Sequence, residues 1–173
     1  MNTLERALYT IGYEGAALED FWATLQAAGV RTVLDIRDVP FSRKPGFSKK
    51  ALSAEAARRG VQYVHLQGLG DPKEGREAAK AGNHSQFLAI FSAHMERPEA
   101  VADLAEAVEL SRQGAACLLC YERDPKDCHR TIVAARMVAH GDFTVAHLGV
   151  RAGLAAASRK TQEFNGVGEL AFG

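Results

Sequence analysis

Three cysteines, one tryptophan and five prolines in 173 residues leave little room for several classes of protein. An odd, sparse set of cysteines does not build the disulfide framework of a small secreted domain, so Cys117, Cys120 and Cys128 are expected to be reduced thiols of a cytoplasmic protein. Long apolar runs are missing too. Nothing approaches the roughly 18 residues that span a bilayer, and Met1-Asn2-Thr3-Leu4-Glu5-Arg6 lacks a basic region followed by an apolar stretch. No membrane partner is expected. Net charge is absent as well, with 21 basic residues against 21 acidic ones. No whole-molecule field therefore draws the chain to nucleic acid or anionic lipid, and any anion site has to be local.

What is present is a 47% hydrophobic chain of a length that builds one core. Short β-branched runs alternate with segments of helical period, which implies strand-helix-strand units. The fold class expected is α/β, a single layered domain over 1–150 with a mainly parallel sheet of about five strands flanked by helices. Strands are predicted at Leu8 to Tyr13, Val30 to Ile36, Val61 to Leu66, Ala115 to Glu122 and Thr144 to Leu148. The fourth is apolar on both faces, so it belongs in the middle of the sheet. Leu18, Phe21, Trp22, Leu25 and Ala28 mark the first helix, and Gly29 ends it. Further helices run through Leu52 and Ala56, through Phe87, Ile90 and Phe91, and through Val101, Leu104 and Val108. A last one carries Ile132, Val133 and Met137, with Asp127 as its N-cap. Residues 68–85 are expected to be an irregular surface excursion, and 151–173 form a C-terminal extension with little periodicity.

In open parallel sheets ligands bind outside the carboxyl ends of the strands, and polar residues gather at those ends here. The most informative run is Cys120 to Arg130, because it joins a buried strand to a helix start. A helix start offers unpaired N–H groups and the positive end of the macrodipole. That field, with His129 and Arg130, favours the Cys128 thiolate. Period 2 along the strand places Cys120 and Glu122 on one face, where both can look toward Cys128.

Thr10-Ile11-Gly12-Tyr13-Glu14-Gly15, the segment Asp35 to Arg43, Tyr63-Val64-His65 with Leu69-Gly70, and Cys120-Tyr121-Glu122 followed by Cys128-His129-Arg130 resemble the bacterial and archaeal family called domain of unknown function 488, over roughly residues 8–148. The resemblance implies an α/β fold with an uncharacterised pocket, and no assigned reaction. Its matching polar positions are Tyr13, Asp35, Arg37, Arg43, His65, Cys120, Glu122, Cys128, His129 and Arg130. Two positions depart from the commoner pattern. Tyr13-Glu14 stands where many members have His followed by Ser or Thr, and Asp71 follows Leu69-Gly70 where a further glycine is frequent.

Simpler roles compete for each residue. Cys117, and Cys120 taken alone, suit small core positions. His129 suits a hydrogen bond in the first helical turn, and Arg130 a structural pair with Glu122 or Asp35. Three N/S ligands from Cys120, Cys128 and His129 suit catalytic zinc, but a spacing of eight is not a usual zinc signature, so no metal or other cofactor is assigned. A Cys120–Cys128 disulfide switch is a further alternative. The basic loop 37–50 is either a solvated surface or a phosphate contact, with Phe41 and Phe47 placed to stack on bases.

The function expected is a small enzyme acting on a phosphate-bearing partner, a nucleotide or nucleic acid. Arg37, Arg43, Arg130 and the helix start bind the anion, with Tyr13, His65 and Cys120 around it. Glu122 is the general acid or base, and Cys128 or His129 assists. The alternatives are a non-catalytic nucleic-acid-binding module using loop 37–50 and a thiol redox or metal-binding protein.

Overall fold

The computed structural model describes residues 6–169. The N-terminal segment 1–5 and the end of the C-terminal extension, 170–173, lie outside the described residues. Five parallel strands form one sheet: β1 (Arg6–Gly12), β2 (Thr32–Asp35), β3 (Gln62–His65), β4 (Ala116–Cys120) and β5 (Phe143–Leu148), in the order β3-β2-β4-β1-β5. The apolar run of β4 takes the middle place, and all five of its residues are buried.

Among the described residues seven α-helices flank the sheet: α1 (Leu18–Ala27), α2 (Lys49–Arg58), α3 (Lys73–Lys80), α4 (His84–His94), α5 (Pro98–Gln113), α6 (Arg130–His140) and α7 (Leu154–Glu169). Alternation along the strands divides the core in two. Ile11, Val33, Cys117 and Leu119 face Phe21, Trp22 and Leu25 of α1 and Leu52 and Ala56 of α2. Leu8, Leu34 and Leu118 face Phe87 and Phe91 of α4, Leu104 of α5, and Val133 and Met137 of α6. Cys117 is thus a buried core residue, on the face opposite Cys120.

Helix limits follow local chemistry. Gly29 takes φ 72°, the left-handed conformation that a side chain resists, just past the end of α1. Ser48 Oγ accepts from Ala51 N and starts α2. Two expectations need correction. Residues 68–85 hold α3 and the first residues of α4. Only Gly75 and Ala78 of α3 are buried, so its inner face is made of small residues and carries no large apolar side chain to mark it in the sequence. Residues Pro125–Asp127 form a 3-10 turn, and α6 starts only at Arg130, so Asp127 stands too far ahead to be its N-cap. The extension beyond 150 also acquires structure in α7, which packs near α1. Asp20 of α1 accepts from the backbone N–H groups of Gly153 and Ala155 at its start.

The connection from β1 leaves toward β2 on the α1 face, and that from β4 leaves toward β5 on the α6 face. Their carboxyl ends are neighbours, with Gly12 opposite Cys120. This is where the strand order reverses, the usual place for a ligand crevice in an open α/β sheet.

Candidate functional site

At the end of β4 the chain bends across the end of β1. Glu14 N donates to Tyr121 O at 2.8 Å. A Cβ on Gly12 would stand 1.7 Å from the Glu122 carbonyl oxygen, so only glycine lets the two segments cross. Gly12→Ala is expected to lower stability by roughly 3 kcal/mol, read as a fall in the thermal unfolding midpoint; an unchanged midpoint would contradict this crossing.

A cavity of about 640 Å³ opens over these strand ends. Its walls include Tyr13, Arg37, Arg43, Cys120, Glu122 and His129, and also Asp38, Asp71, Arg76, Lys80, Phe41 and Tyr121. His65, expected among them, is not a wall residue. Its edge strand carries it away from β4, and its Nε2 lies 2.8 Å from the Arg37 carbonyl.

Two arginines expected to meet an anion are committed to the protein. Arg37 forms a bidentate pair with the buried Asp35, at 2.8 Å from Nε and 2.7 Å from Nη2. Its Nη1 donates to Phe47 O at 2.7 Å and Tyr13 Oη at 3.3 Å. Burial opposes its charge, but the Asp35 carboxylate outweighs that and holds its pKa above the ordinary arginine value. The Tyr63 hydroxyl donates to Asp35 Oδ2; burial first, then Asp35, raises its pKa. Tyr13 stacks on Phe47 with centroids 4.5 Å apart. The network fixes the bend that starts the basic loop.

Arg130 is 0% exposed. Its Nε donates to Thr10 Oγ1 at 3.0 Å, its Nη1 to Cys120 Sγ at 3.0 Å and to Glu122 O, and its Nη2 to Arg123 O at 3.1 Å. The first N–H of α6 points at Cys128 Sγ, 3.4 Å away. Neither the guanidinium nor that helix start faces the cavity, which corrects the expectation that both hold the anion: a full set of protein acceptors is the condition for burying such a charge.

His129 is buried, with Nε2 2.8 Å from the Ile36 carbonyl. A carbonyl only accepts, so Nε2 carries the proton. Nδ1, 3.7 Å from Cys128 Sγ, is left with its lone pair toward the sulfur. Burial lowers the ring's pKa to about 4, so the imidazole is neutral at physiological pH. The Cys120 and Cys128 sulfurs are joined as a disulfide, the alternative the sequence raised for this pair, and one ligand atom each from Cys120, Glu122 and Cys128 lie within 4.8 Å of one another. Among the described residues this is the group that can hold a metal ion; Glu122 takes the place expected of His129.

Sequence reasoning gave no role to the carboxyl group that stands out most. Asp71 is 7% exposed, and its Oδ1 is buried without a hydrogen-bond partner. It fits because α3 has Gly75 beneath it: a Cβ there would lie 2.0 Å from Asp71 Oδ1. Burial raises its pKa to about 7. Arg76 acts the other way, and the Glu122 and Asp38 carboxylates add to the rise. Arg76 Nη1 ties the wall together, donating to Asp38 Oδ2 at 2.8 Å and to the Asp71 carbonyl at 2.6 Å. The departure from the family pattern at Asp71 was the one signal in the sequence.

No helix among the described residues is long and apolar enough to cross a membrane. Neither the curated proteins nor the solved structures yielded a match to the chain. A family model does match, over residues 17–137, from just ahead of α1 into α6, a stretch that holds most of the cavity wall and leaves out β1 with Tyr13, and β5. On that match the chain belongs to the family described as domain of unknown function DUF488.

Proposed function

We propose that the protein is a small enzyme acting on a phosphate-bearing ligand, a nucleotide or a nucleic-acid strand, held in the cavity over β1 and β4. The observation that carries this reading is Asp71, a buried carboxyl group with an unpartnered oxygen in the wall of the cavity. Burying such a group without a partner costs stability, and that cost is typical of a site kept for chemistry. With a pKa near 7 it exchanges a proton at neutral pH, as a general acid or base requires. Proton transfer, first expected of Glu122, thus falls to Asp71.

Arg43 and Lys80 are exposed residues of the cavity wall, and they replace Arg37 and Arg130 as the groups that meet phosphate. Phe41, 68% exposed, and Tyr121 offer rings on which a base can stack. The same rings favour a second reading, a binding module without turnover, in which Asp71 has no part.

Calorimetric titration with nucleoside phosphates and short oligonucleotides at low salt tests the ligand. Arg43→Ala with Lys80→Ala is expected to weaken binding about tenfold or more and to flatten its salt dependence, by a slope of about one for each lost contact. No binding at low salt would refute the reading. Binding without turnover, unchanged in affinity by Asp71→Asn, would favour the second one.

A further inference from the structure

Arg130 holds a permanent charge where water does not reach, and such a charge requires an opposite charge or strong acceptors around it. Its acceptors are the Thr10 hydroxyl, the Cys120 sulfur and the carbonyls of Glu122 and Arg123. Of these four, only the sulfur can carry a formal charge. A guanidinium N–H lies 3.0 Å from it. The second sulfur is served similarly, since the Arg130 backbone N–H points at Cys128 Sγ. Each sulfur thus has an N–H aimed at it, and after reduction both are available as ligands, with a Glu122 oxygen completing a group whose members are all within 4.8 Å of each other.

We infer that, once the Cys120–Cys128 disulfide is reduced, Cys120, Glu122 and Cys128 form a binding site for a thiophilic divalent cation of the zinc class, with a fourth position opening on the cavity. Charge supports the assignment. Two reduced cysteines and a carboxylate supply anionic ligands, and the Arg130 guanidinium beside Cys120 Sγ adds a cation to the same group. Coordination supports it as well, because catalytic zinc sites keep three protein ligands and leave the fourth position to water or substrate. Cys120 and Glu122 line the cavity, whereas Cys128 does not, so the open side of the group faces the ligand space.

The backbone gives a further reason. Tetrahedral zinc with Zn–S bonds near 2.3 Å holds two sulfurs about 3.8 Å apart. The Cα atoms of Cys120 and Cys128 are 7.5 Å apart, wider than the roughly 4.4–6.8 Å that disulfides span. With the disulfide opened, that separation lets the two sulfurs part far enough to hold an ion between them. Arg130 becomes the outer donor that orients both thiolates, as hydrogen-bonding partners of metal ligands do. This inference concerns the cation alone and stands whatever ligand enters the cavity.

The test uses the full chain, reduced, stripped by chelator and titrated with Zn²⁺ or Co²⁺ in the absence of any nucleotide. One ion per chain is expected, and the cobalt form should show sulfur-to-cobalt charge transfer. Cys128→Ser should remove most of that absorption. Glu122→Gln, at a half-buried position less risky for folding, should weaken affinity about 100-fold or more with an unchanged circular dichroism spectrum. Cys117→Ser, on the other face of β4, should leave uptake as it was. A reduced chain that takes up no cobalt, or uptake indifferent to both Glu122→Gln and Cys128→Ser, would overturn the site. So would recovery of Cys120 and Cys128 as a disulfide-linked peptide from protein purified in the presence of zinc.

Discussion

Replacing Arg130 by alanine is expected to lower the unfolding free energy by roughly 3–5 kcal/mol, a large share of the 5–15 kcal/mol typical of a folded domain. The cost has two sources. The side chain is among the largest fully buried ones, so its removal leaves a cavity. It also serves four acceptors, on Thr10, Cys120, Glu122 and Arg123, and alanine leaves them without that donor, the buried Thr10 hydroxyl above all. Arg130→Lys keeps the charge but not the fork, and is expected to recover only part of the loss. Equilibrium urea unfolding measures both, as a fall in midpoint at constant slope. A midpoint like that of the parent protein would show that the guanidinium is not the post on which the ends of β1 and β4 rest.

Asp71→Asn is expected to do the opposite to stability while removing turnover. The carboxyl group has a folded pKa of about 7 against an ordinary value of 3.8. Between those values the folded state binds a proton that the unfolded state does not, so stability falls as pH rises from about 4 to 7 and levels off above. The full window amounts to roughly 4 kcal/mol at 1.36 kcal/mol per pKa unit. Asparagine does not titrate, so the variant should gain on the parent by up to that amount between pH 4 and pH 8. Measurements belong in chelator, where no cation at Glu122 alters the field. Loss of a positioned proton-transfer group costs about 10²–10⁴ in rate. Gly75→Ala offers a second route to the same group, since its methyl would push Asp71 Oδ1 out of place. Parent and Asp71→Asn curves of equal slope would refute a buried, neutral-pH carboxyl group.

Much of the frame was legible because it obeys simple periods. The double-sided apolar run at 116–120 put β4 in the middle of the sheet, and period 2 separated Cys117 from Cys120 and joined Cys120 to Glu122. Burial of charge was legible only as an alternative. A structural pair was weighed for Arg130 beside anion binding, and only tertiary packing brings Asp35 against Arg37 and the Thr10 hydroxyl and two carbonyls against Arg130. Asp71 was hidden because α3 has a polar sequence and no large apolar side chain, so a helix wall was taken for loop, and its acid for a solvated one. His65 was misplaced because a strand end was read without knowing which strand lay at the sheet edge.

The two apolar clusters meet only through the sheet, and the cleft lies where they part. Tyr13, Arg37 and Phe47 are set by the layer of α1 and α2, while Cys120, His129 and Arg130 are set by the layer of α4 to α6. The ligand space is therefore a seam between two separately packed halves. His129 against the Ile36 carbonyl and Tyr13 edge-on to Tyr121 join the two walls, so a substitution deep in either layer can change the opening from both sides.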